Sequence, residues 1–105
     1  MATKLRAAVP AKEFIERNFG PMTFGKFLVS VRLNMDMSQT ELAKRLKVTR
    51  SRICDIEKGR ILVSPGFAGK IAKLGGFPEK LAIKYCLQDQ LRKANIKYDV
   101  NLDAA

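Results

Sequence analysis

Histidine is missing from all 105 residues, which removes the commonest general base and the commonest metal ligand. Cysteine is reduced to Cys54 and Cys86, too far apart for a zinc-ligand spacing. A bridge between them is one option; two ordinary thiols in a reducing cytoplasm is the better reading. No apolar run is long enough to span a bilayer, and no N-terminal apolar segment of the exporting kind is seen, so a cytoplasmic, nucleoid-associated chain is expected. A phosphate-cradling glycine loop and an activated cysteine are also missing. The sequence therefore offers no enzyme, no cofactor, no metal site and no small-molecule effector pocket.

Acidic residues are scarce as well: 10 against 20 lysines and arginines, a net charge of +10. Such an excess on a small chain points to a polyanionic partner, nucleic acid or an acidic membrane surface. Membrane-surface binding needs a helix with a broad basic face opposite a bulky apolar one, and no segment fits. The length supports one domain with one modest core, and the apolar content is that of a folded protein.

What is present is a series of helix signals. Residues 10–18 allow a short helix, with Pro10 at a first helical position and Phe14, Ile15 and Phe19 as a narrow stripe. This segment is either an arm covering part of the core or one that binds a partner. Gly20-Pro21 breaks the chain. Thr23 then caps a helix marked by Phe24, Phe27, Leu28, Val31 and Met35. Ser38 caps the next, with Glu41 three places on as the other half of a capping box, and Thr49 caps a third that Gly59 stops. Ser64-Pro65 starts a fourth, with Phe67, Ile71 and Leu74 marking its buried side, before Gly75-Gly76. Pro78 opens a fifth, running to about Lys93. Beyond it Ile96, Tyr98, Val100 and Leu102 alternate with polar residues, the period of a half-buried strand.

Between the last apolar mark of the second helix, Leu46, and the cap of the third, Thr49, lie only Lys47 and Val48. Helices joined so tightly cross at a large angle, with Leu42, Ala43, Leu46, Val48, Ile53 and Ile56 packed inside it. At about 100° per residue, Ile53 and Ile56 of the third helix point inward. Ser51 and Lys58 lie nearly opposite, Cys54 and Asp55 flank them, and Arg50 and Arg52 leave from the two edges. A helix about 10–12 Å wide suits a major groove of about 12 Å. The charges alone would also fit a solvated face.

SQTELAKRL, VTRSRI and IEKGR, in that order, resemble the lambda repressor/Cro-like family, the XRE-type helix-turn-helix domain, over about Thr23–Lys93. The resemblance implies an all-α, five-helix DNA-binding domain at 23–93, flanked by an N-terminal arm or short helix (1–22) and a C-terminal strand-like tail (94–105). It implies that Arg50, Ser51 and Asp55 read bases, that Gln39 binds a phosphate while bracing the third helix, and that Arg52, Lys58 and Arg60 hold the DNA backbone. Arg50 suits guanine O6 and N7, and Asp55 suits cytosine N4; otherwise Asp55 balances charge, with Arg52 beside it. Cys54 reads as a small groove-facing filler. Glu57 matches the acid that pairs with an arginine of the first helix, here Arg32. Where the family has turn glycines this chain has Asp36 and Lys47. A left-handed Lys47 is strained, and contact with a phosphate would compensate.

One such helix reads about half a site, so a homodimer is expected. Ile83, Leu87, Leu91 and Ala94 form a second stripe on the fifth helix, and a strand at Ile96, Tyr98 and Val100 would leave an edge for a second chain. The leading function is a sequence-specific transcriptional regulator of double-stranded DNA, acting as a repressor. The alternative is an antitoxin that binds a protein toxin and autoregulates its operon, and a bridging coactivator without base readout is a third class.

Overall fold

Side-chain hydroxyls set four of the five helix starts. The computed structural model of the chain describes residues 21–103, in which helix α1 spans Phe24–Asn34, α2 Gln39–Leu46, α3 Arg50–Glu57, α4 Pro65–Gly75 and α5 Glu79–Lys93. The short helix expected over residues 10–18 lies outside the described residues. Thr23, Ser38, Thr49 and Ser64 each accept the amide three residues on, from Lys26, Glu41, Arg52 and Phe67, satisfying donors that a helix start leaves open. At α2 the Glu41 carboxylate returns the bond to the Ser38 amide at 2.8 Å. That amide, followed by the Ser38 hydroxyl, holds the Glu41 carboxyl below its ordinary pKa. Helix α5 begins at Pro78 with no side-chain cap.

The helix ends share one device. Asp36, Lys47, Gly59, Gly76 and Asn95 are left-handed. The amide after each reaches back five residues: Met37 to Arg32, Val48 to Ala43, Arg60 to Asp55, Phe77 to Ala72 and Ile96 to Leu91. This bond pattern satisfies the last carbonyls of a helix. Only two of the five positions carry glycine.

Helix α1 is the hub, packing against α3, α4 and α5, while α2 packs on α3 and α4 on α5. Leu28 and Val31 are fully enclosed with Leu42, Ile53, Ile56 and Ile71, each contributing about 1.5–3 kcal/mol by burial. Phe27 meets Phe77 edge-on at 5.4 Å and Tyr85 at 5.6 Å. Helix α4 meets the sequence expectation in part, with Ile71 enclosed. Its buried face is Ala68, Gly69, Ile71 and Ala72, whereas Phe67 and Leu74 are half-buried. Small residues let α4 approach its neighbours closely: a Cβ on Gly75 would lie 2.6 Å from Val31 Cγ1.

The tail expected as a strand has no regular structure over residues 96–103, and no strand occurs among the described residues. It is nevertheless docked. Gln88 of α5 donates from Nε2 to the Tyr98 carbonyl at 2.7 Å and accepts the Val100 amide on Oε1 at 2.9 Å. Ile96 and Tyr98 are exposed; Val100, Leu87 and Leu91 are half-buried.

Candidate nucleic-acid interface

Helices α2 and α3 are joined by Lys47, Val48 and the capping Thr49. Lys47 sits at φ 59°, ψ 44°, and its left-handed turn redirects the chain so that Thr49 can cap α3. Ile53 and Ile56 are buried to 0% and 1% exposure, which fixes the rotation of α3 about its axis. The opposite side must then face out: Arg50, Ser51, Arg52 and Lys58 are exposed, and Cys54 and Asp55 are partly so. The Thr49 hydroxyl takes the Arg52 amide at 3.1 Å. The amides of Arg50 and Ser51 remain at the positive end of the helix, where an anion is favoured.

Glu57 secures the other end. Arg32 reaches it from Nε at 2.7 Å and from Nη2 at 3.2 Å, and Gln39 Nε2 donates to the same Oε1 at 2.8 Å. The remaining guanidinium nitrogen of Arg32 donates to the Met37 carbonyl. One carboxylate thus ties α1, the start of α2 and the end of α3 together. The geometry places Gln39 against α3, and Arg32 points into the scaffold. Close approach makes this possible: a Cβ on Gly25 of α1 would lie 2.6 Å from the carbonyl oxygens of both Ile56 and Glu57.

The charged rim is organised in ways that residue spacing did not show. Asp55 pairs with Arg60, Oδ1 to Nη1 at 3.1 Å, and not with the adjacent Arg52. Gly59, at φ 75°, turns the chain so that Arg60 comes back beside α3. Arg52 leans the other way and lies over the Phe67 ring of α4, 5.9 Å from its centre, within cation–π range. Phe67, expected on the buried side of α4, is half-buried and packed against the core, and its ring also backs Arg52. Lys47, Lys58 and Arg60 are exposed, and among the described residues the Arg60 side chain pairs with Asp55 alone.

The two cysteines are free thiols. Cys86 is buried, donates to the Val63 carbonyl at 3.1 Å, and its pKa is pushed up by burial. Among the described residues no group of acidic or cysteine side chains is placed to hold a metal, and no helix is long and apolar enough to cross a membrane. What this surface can do is present a narrow ridge with two free amides, two arginines and a lysine toward a polyanion.

A family model described as helix-turn-helix matches residues 28–80, half of the chain, running from α1 into the start of α5. No curated protein and no solved structure matches.

Proposed function

Because the chain belongs to the lambda repressor/Cro-like, XRE-type helix-turn-helix family and so is a DNA-binding regulator, we propose that it is a sequence-specific repressor that seats α3 in the major groove as a homodimer. The observation that carries this reading is the division of α3, with Ile53 and Ile56 sealed in the core and Arg50, Ser51 and Lys58 standing out. In the groove, Arg50 donates to guanine O6 and N7, and Ser51 meets the neighbouring base. Asp55 accepts from a cytosine amino group, its charge already shared with Arg60. Arg52, Lys58, Arg60 and Lys47 contact phosphates, as does Gln39, whose amide is anchored on Glu57. Repression follows from occupying a site that polymerase needs.

Selection of bound sequences from random duplexes tests this reading. A two-fold symmetric motif, bound with strongly salt-dependent affinity, is the expected result. Recovery of no motif, or binding indifferent to salt, would discard it.

A further inference from the structure

Arg50 and Arg52 stand two residues apart on α3 and are both exposed, yet they are held differently. Among the described residues the Arg50 side chain has no hydrogen bond, ion pair or ring contact, whereas the Arg52 guanidinium lies over the Phe67 ring. That ring is a fixed platform. It packs against the core, and the Phe67 amide donates to the Ser64 hydroxyl at 3.1 Å. Arg52 and Phe67 are each the third residue of their helix, so the contact joins the start of α3 to the start of α4. These helices otherwise pack on α1 and scarcely on each other. Stacking covers one face of a guanidinium and uses none of its five N–H donors, which lie in the plane. Arg52 therefore keeps its charge and its donors for another group, unlike Arg60, which spends Nη1 on Asp55.

We infer, resting on the reading of α3 as the groove helix, that Phe67 is a positioning residue for DNA binding. Its ring holds Arg52 at the α4 edge of the ridge, assigns it to a phosphate there, and leaves the groove to Arg50. Part of the gain is order before binding. An arginine gives up rotamer freedom when it grips a phosphate, and one already laid on an aromatic face has given up some of it in the free protein. The same contact sets direction. Arg50 and Arg52 lie about 200° apart around the helix, so a guanidinium kept over α4 stays on the edge opposite Arg50. Turning Arg52 toward the bases would forfeit its attraction to the ring. A phosphate contact fixes register and carries no base information. Phe67 accordingly adds affinity through Arg52 without adding a base preference, although its own side chain carries no charge and no hydrogen-bonding group.

A double-mutant cycle on the full chain, read as dissociation constants for duplex DNA, tests this role. Phe67→Leu should weaken binding about two- to five-fold, by the same factor on selected and random duplexes. In an Arg52→Ala background the same substitution should change nothing. Phe67→Tyr, which keeps the ring face, should bind as the wild type does. A merely structural Phe67 would cost the same factor with or without Arg52. An equal loss in both backgrounds, no loss in either, or a tyrosine variant as weak as the leucine one would each overturn the assignment. Urea unfolding accompanies the series; where Phe67→Leu does not fold, Phe67→Met, ringless and able to fill the same gap, takes its place. The contact itself is read by NMR without DNA. The Arg52 side-chain N–H resonance should sit upfield under the ring in the wild type and return to the ordinary range in Phe67→Leu. Protein that binds no duplex yet keeps the shifted resonance would overturn the DNA reading and this role with it, whereas duplex binding with an unshifted resonance would overturn the Phe67 role alone.

Discussion

Arg32 and Glu57 meet in a two-point ion pair across the α1–α3 contact, with the Glu57 side chain 6% and the Arg32 side chain 16% exposed. The pair sets the tilt of α3 against the body. Removing one partner leaves a nearly enclosed charge with too few hydrogen bonds. Arg32→Ala should therefore lower stability by about 3 kcal/mol, read from urea unfolding. If it acts only through the seat of α3, binding to a selected site should fall more than binding to random duplex. A loss below about 1 kcal/mol would mean that the pair behaves like a surface one.

Arg50 and Lys58 should separate base reading from backbone holding. Arg50→Ala should cost about 1–3 kcal/mol on the selected site and relax the preference at a single base pair. Lys58→Ala should weaken all sequences alike and flatten the logarithmic salt dependence by about one unit. The check is a titration series at several salt concentrations on selected and scrambled duplexes.

Lys47 holds a left-handed backbone, and among the described residues its side chain makes no hydrogen bond or ion pair that would offset the strain. Lys47→Gly should raise stability by about 1 kcal/mol, the lower end of the left-handed penalty, and lift the melting midpoint by a few degrees. DNA affinity should fall modestly if the lysine reaches a phosphate. An unchanged or lower midpoint would show that the turn costs no strain.

Gly25 is needed for packing, not for its backbone angle. Gly25→Ala puts a methyl group 2.6 Å from two carbonyl oxygens of α3, and neither can move without shifting that helix. About 1–3 kcal/mol should be lost. Gly66→Ala, where the nearest atom is the Ser64 oxygen at 4.0 Å, should be close to neutral. Thermal melts of the two variants side by side decide whether crowding is the cause.

Most of the helices were legible because their starts are chemically marked: the hydroxyls at positions 23, 38, 49 and 64 each precede an apolar run at helical spacing, the setting in which they satisfy a first-turn amide. The inward face of α3 was legible from Ile53 and Ile56, since only two apolar residues sit at helical spacing there. The face of α4 was legible only in part. Ile71 is enclosed and Phe67 and Leu74 pack at the margin of the core, but the small residues Ala68, Gly69 and Ala72 that its centre selects give no apolar signal of their own. Side-chain partners on the rim were hidden as well. Asp55 finds Arg60 only because Gly59 reverses the chain, and Arg52 finds Phe67 only because α4 crosses beside it. Gly25 carried a signal, a glycine inside an otherwise good helix, whose meaning depends on a neighbour distant in sequence. The strand period of the tail did not yield a strand: Ile96 and Tyr98 are exposed, and only Val100 and Leu102 are half-buried. Its partner in the single chain is a glutamine, which periodicity cannot reveal.

Helix α3 is eight residues long, far short of the roughly 12–15 at which an isolated helix begins to hold its shape in water. A synthetic peptide of that segment would consequently be a poor reader of any sequence. Its rigidity is borrowed from Ile53, Ile56 and Glu57, which face the body of the domain. If the proposed base contacts hold, reprogramming this protein toward a new site has a natural division of labour: diversify positions 50, 51 and 55, and leave those three anchors untouched.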